Sequence, residues 1–117
     1  MLAGLEGIVT SIRERIEGEV GGWPGVEARA HRFGGVEFRV NGHEIGHLHD
    51  ERMADLPFPV RMREELVAAG KAREHHVLPQ TGWVSYRIRG SEDVEGALEL
   101  FRKNYERLTA RKGVTKA

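Results

Sequence analysis

The sequence predicts an α+β domain: an antiparallel sheet packed by N- and C-terminal helices, in the order α-β-β-β-α-β-β-α. Three observations carry that reading. Apolar residues recur with a 3.6-residue period near both ends and in one short middle segment, residues 26–49 and 73–89 alternate in strand fashion, and Asn41-Gly42 is the dipeptide preferred in a type I′ hairpin turn. At 117 residues the chain has the size of one domain, residues 1–117, with a basic tail frayed from about residue 110.

The first helix is read over residues 2–20, where Leu2, Leu5, Ile8, Val9, Ile12 and Ile16 form one stripe and Arg13, Glu14, Arg15 and Glu17 face away. Gly18 or Gly21-Gly22 ends it. Trp23-Pro24-Gly25 then turns the chain, with the tryptophan either capping the edge of the core, which general burial tendencies favour, or lining a cleft. Residues 26–33, 36–40 and 43–49 form a meander. A two-residue Asn-Gly loop sets the second register: Val40 opposes His43, Phe38 opposes Ile45 and Val36 opposes His47, and opposed residues share a face. His47 and His49 therefore fall with Phe38 and Ile45, whereas Glu44, Gly46 and Leu48 fall with Glu37 and Arg39. In the first hairpin a strict Gly34-Gly35 loop sends His31 and Phe33 to the Phe38 face. A longer or bulged connection puts Ala28 and Ala30 there and leaves Arg29 and His31 on the wet face, and the alternation favours this second arrangement.

Residues 50–59 read as a loop, since Pro57 and Pro59 preclude regular pairing. Pro59 suits the first turn of a helix over residues 60–69 that stops at Gly70. Arg61 and Arg63 stand at the unfavourable positive end of that helix, which predicts an acidic contact to Asp50 or Asp55. Residues 73–78 and 83–89 make a last hairpin around Pro79-Gln80-Thr81-Gly82, with His75 and His76 in its first strand. Ser91 as N-cap, with Glu92, Asp93 and Glu95 behind it, opens the C-terminal helix. Its buried stripe is Val94, Ala97, Leu98, Phe101, Tyr105 and Leu108.

Composition bounds the chemistry. Lys and Arg number 18 against 18 Asp and Glu, which disfavours nucleic acid and anionic membranes as general partners. The chain has no cysteine, so disulfides, thiolate nucleophiles and Cys-ligated zinc are excluded. The first residues lack the basic-then-apolar pattern of a signal peptide and no apolar run approaches a membrane span, so a cytoplasmic location is expected.

Three of the six histidines alternate along residues 43–49, and His75-His76 supplies a second pair. Same-face neighbours along a strand are about 6.5–7 Å apart, a spacing from which imidazoles can converge on one ion. The sequence thus nominates His47, His49 and His76 with Asp50 as ligands of a divalent metal, Zn²⁺, Ni²⁺ or Fe²⁺. Asp55 is the other carboxylate within reach, and His75 is the other member of the pair. The alternative is a non-catalytic binding module. In it His47, His49, His76, Trp83 and Arg61 line a cleft for a small anionic ligand or a protein partner, a second copy in a homodimer included. Ser85 and Thr81 offer hydroxyls, but no nucleophile elbow surrounds them.

Several separated blocks also occur in an order that resembles the luciferase-domain family of small bacterial proteins. They are Glu44-Ile45-Gly46-His47-Leu48-His49, Asp55-Leu56-Pro57-Phe58-Pro59, His75-His76-Val77-Leu78-Pro79, Gly82-Trp83-Val84-Ser85 and Asn104-Tyr105. The resemblance covers about residues 26–108. It implies a shared surface at His47, His49, His76, Pro79, Gly82 and Trp83, and it does not imply light emission.

Overall fold

The computed structural model describes residues 11–31 and 34–116, side chains from residue 111 onward excepted. Its elements are α1 (Ile12–Gly21), β1 (Glu27–His31), β2 (Gly35–Val40), β3 (His43–His49), β4 (Met53–Pro57), α2 (Val60–Ala68), β5 (Arg73–Glu74), β6 (Trp83–Arg87) and α3 (Val94–Lys116), with a 3₁₀ turn at Ser91–Asp93 ahead of α3. The strands form one antiparallel sheet in the order β1-β2-β3-β4-β6-β5, and the helices complete the α+β fold that the alternation predicts.

Helix α1 begins at Ile12 because Ser11 caps it. The Ser11 hydroxyl accepts from the Glu14 amide, and the Glu14 carboxylate accepts from the Ser11 amide. A helix read through from residue 2 is therefore interrupted at Ser11, and Leu2, Leu5, Ile8 and Val9 lie outside the described residues.

The main departure from expectation lies between β2 and β3. The turn behaves as its Asn-Gly sequence dictates, with φ 54° at Asn41 and 79° at Gly42 and Val40 opposite His43. After Arg39 opposite Glu44, however, the register shifts: Phe38 pairs with Gly46, Glu37 with His47 and Val36 with Leu48. Ile45 is an inserted residue, a β-bulge, and one insertion sends every following side chain to the other face. His47 and His49 consequently stand with Glu37, not with Phe38. Leu48 joins Val36 and Phe38.

The second departure is β4, a strand placed within the segment read as a loop. Met53-Ala54-Asp55-Leu56-Pro57 pairs with β3 on one side and β6 on the other. Its prolines close and follow the strand instead of interrupting it, so no interior ladder donor is lost. Strand β5 is only two residues long, which leaves His75 and His76 in the connection to β6 and not in a strand. Ser91 does not cap α3. It opens the 3₁₀ turn, and the Asp93 carboxylate accepts from the Arg89 amide at 2.8 Å. In β1, Ala28 pairs with Phe38 and Ala30 with Val36, leaving Arg29 and His31 on the polar face, as the alternation favours.

The sheet thus has an apolar and a polar side. Val36, Phe38, Leu48, Ala54, Leu56 and Val84 are buried with Ile16 and Val20 of α1, Leu66 of α2 and Val94, Ala97, Leu100, Phe101 and Leu108 of α3 in one core. Trp23 sits at its edge against Tyr105, ring centroids 5.1 Å apart. On the other side Arg29, Glu37, His47, Asp55, Ser85 and Arg73 are successive cross-strand partners, a polar row spanning all six strands.

Candidate metal centre

The bulge and the unforeseen strand together build the site. Asp55, at the middle of β4, pairs with His47 on one side and Ser85 on the other, and its carboxylate is fully buried. Its Oδ1 accepts from the Ser85 hydroxyl at 2.6 Å. Its Oδ2 is the point on which four imidazoles converge through Nε2: His49 at 2.7 Å, His75 at 3.4 Å, His76 at 3.5 Å and His47 at 3.7 Å. The Nε2 atoms of His47 and His49 are 3.2 Å apart.

A buried carboxylate resists ionisation, but here the Ser85 and His49 hydrogen bonds and the neighbouring His75 outweigh burial and hold the Asp55 carboxyl below the usual aspartate range. Burial lowers the His75 imidazole. Asp55 opposes that effect, while His76 and His47 reinforce it.

Hydrogen bonds set the tautomers. His47 donates from Nδ1 to the Glu44 carboxylate at 2.6 Å, so in the neutral ring the Nε2 lone pair points into the cluster, and a carboxylate behind the ring in this way orients an imidazole for a metal. The ring of His31 stacks on that of His47 at 4.1 Å, and His31 in turn bonds Glu37 at 3.1 Å. His75 has the opposite polarity. Its Nδ1 accepts from the amides of Val77 and Leu78 at 3.1 and 3.0 Å, which places the neutral ring's proton on Nε2, facing Asp55. His75 therefore turns its Nε2 proton toward the carboxylate and braces the loop, and His76 approaches the same oxygen at 3.5 Å.

Of the residues nominated from sequence, His47, His49 and His76 come together, and Trp83 borders them, its ring 5.5 Å from that of His47. Asp50 and Arg61 do not join them. Asp50 is exposed in the turn after β3, at φ 61°, and Arg61 is exposed on α2. Asp55 occupies the carboxylate position. The acidic contact expected of Arg61 and Arg63 is made by Arg63 to Glu74 at 3.4 Å, not to Asp50 or Asp55. Sequence reasoning missed Glu44 and His31 as supports. The alternation that sends His31 to the wet face with Glu37 was the available signal for His31.

A small α+β domain whose open sheet carries His47, His49, His75 and His76 around one buried carboxylate, donor atoms of each triad within 4.8 Å of one another, is the class that fold and site define. The chain belongs to the luciferase-domain family, whose profile matches residues 42–104, more than half of its 117 residues. The matched span takes in Glu44, the four clustered histidines, Asp55, Ser85 and Asn104, and leaves out His31. No curated protein and no solved structure matches the chain. Among the described residues, no helix is long and apolar enough to cross a membrane.

Proposed function

We infer that the chain is a divalent-metal-binding protein in which His47, His49 and His76 donate Nε2 and Asp55 donates Oδ2. The spacing of the donors carries this reading. Bonds of about 2.0–2.1 Å at tetrahedral angles require donor separations of about 3.3 Å. The separations found are 3.2 Å for His47 to His49, 3.5 Å for His76 to Asp55 and 3.7 Å for His47 to Asp55. His49 and Asp55, hydrogen-bonded at 2.7 Å, must separate slightly, with an ion in place of the shared proton, and His76, which falls in a second triad with Asp55 and His75, must draw in toward His47 and His49. Three imidazoles and a carboxylate suit Zn²⁺, Ni²⁺ or Fe²⁺.

The test is uptake. Chelator-stripped protein titrated with each ion should bind about one equivalent with retention through gel filtration, and His47→Ala with His49→Ala should abolish it. Calorimetric silence with all three ions, and no retained metal by elemental analysis, would end the reading. Trp83 favours a second one, since its ring edges both His47 and His75, the latter at 5.9 Å. On that reading the cluster is a metal-free binding module for a small anionic ligand or a protein partner, and a Trp83→Ala variant would lose the ligand while the wild type ignored metals.

A further inference from the structure

We propose that the sheet edge beside the histidine cluster is an oxyanion subsite, in which Arg73 and Arg87 hold the phosphate group of a small phosphate monoester next to His76 and Asp55. In placing that ligand beside an ion it rests on the metal reading, whereas the anion contact itself rests on the arginines alone.

The register fixes the geometry. Arg73 on β5 opposes Ser85, and Ser85 opposes Asp55, so Arg73 rises from the cluster's own face, two strand spacings or about 10 Å from Asp55. Arg87, two residues beyond Ser85, opposes Met53, which opposes His49. Arg73, Arg87, Ser85 and His76 line one cleft of about 250 Å³ with Met53 and Glu74. Arg73, Ser85 and Arg87 also line an adjoining cleft of about 310 Å³, which adds Lys71 and Arg89. Both volumes suit a small molecule.

The charges in these clefts are unequally engaged. Glu74 is held by Arg63 at 3.4 Å, and Asp93 accepts the Arg89 amide at 2.8 Å. Lys71 reaches Glu99 at 3.7 Å. Arg73, Arg87 and Arg89 make no ion pair among the described residues. In a chain of zero formal net charge, three unpaired guanidiniums along one edge are a local feature and not a reflection of composition. Two planar forks over one cleft match the several terminal oxygens of a phosphate dianion better than a single carboxylate.

The experiment uses the full chain, stripped of metal, titrated at fixed ionic strength with inorganic phosphate, phenyl phosphate and acetate, with calorimetry and arginine Nε shifts as readouts. Phenyl phosphate should saturate and bind tighter than inorganic phosphate, with acetate weakest. Arg73→Gln with Arg87→Gln should weaken phenyl phosphate by about tenfold or more, while Arg29→Gln, exposed on β1 at the opposite edge of the sheet, leaves it within about twofold. Uptake of Zn²⁺, Ni²⁺ and Fe²⁺ is measured on the same preparations. Zinc binding without phosphate binding overturns the subsite and leaves the metal reading standing; phosphate binding without uptake of Zn²⁺, Ni²⁺ or Fe²⁺ does the reverse. Free phosphate binding as tightly as the ester overturns the monoester assignment. Equal affinity in the double arginine variant, or for acetate, overturns the subsite itself. Both arginines are exposed and unpaired, so their replacement leaves the fold intact, which circular dichroism verifies.

Discussion

Glu44 accepts a 2.6 Å hydrogen bond from Nδ1 of His47, although the two are three residues apart on β3, a spacing that in a regular strand puts side chains on opposite faces. The Ile45 bulge between them removes that opposition. The Glu44→Ala variant should lose about 10- to 100-fold in metal affinity, the usual cost of removing such a partner. Competition against a chromogenic chelator measures it, and an unchanged affinity would show that Glu44 does not orient the ring.

The bulge has its own support. Asn104, fully buried on α3, donates Nδ2 to the Ile45 carbonyl at 2.8 Å and to the Pro57 carbonyl at 3.0 Å, and its Oδ1 accepts from Arg107 at 2.8 Å. An inserted residue takes no part in the ladder, so its carbonyl needs another donor. Asn104→Leu should destabilise the protein by about 2–3 kcal/mol by leaving buried carbonyls without partners. Urea denaturation reads the loss, and it should exceed that of exposed replacements on the same helix.

His75 and His76 are adjacent but should respond differently. His76→Ala removes a proposed ligand and should weaken metal binding by about tenfold or more. His75→Ala should change affinity by about threefold at most while costing about 1 kcal/mol of stability, since it releases the amides of Val77 and Leu78. Faster amide exchange at those two positions in the His75 variant is the specific signature. The same metal loss in both variants would reverse the tautomer assignment.

Glu37, the cross-strand neighbour of His47, supplies a pH-dependent contribution to stability. Its carboxyl is held below the usual range chiefly by the hydrogen bond from Arg39 at 2.6 Å and further by His31, against a smaller opposing effect of burial. A folded pKa below the unfolded one stabilises fully above the ordinary glutamate value of about 4.3 and loses that contribution as pH falls through the lower folded value. The stability gap between wild type and Glu37→Gln should therefore be constant above about pH 5.5 and close in stronger acid. A gap that widens on acidification would give the linkage the wrong sign.

The helices, the hairpin turn and most strands were legible because each depends on local periodicity or turn chemistry. That histidines of β3 and of the segment before β6 approach one another, which they do around their shared neighbour Asp55, was legible as well, but the side of the sheet was not. A strict Asn-Gly register set Leu48 against the apolar alternation of Val36, Phe38 and Val40, and that conflict was the trace of a bulge whose position depends on Asn104, distant in sequence. Asp55 was obscured because Pro57 and Pro59 masked the period-two pattern of Ala54 and Leu56. Asp50, closer to His49 in sequence, took its place.

All described helices pack on the Phe38 and Leu48 side, so cohesion and chemistry occupy opposite surfaces of one sheet. Exchanging the exposed members of the polar row, Arg29 and Arg73, would leave the oily layer that secures folding largely untouched. Such a scaffold can acquire new ligand preferences by altering a few outward positions, with little penalty to its ability to fold.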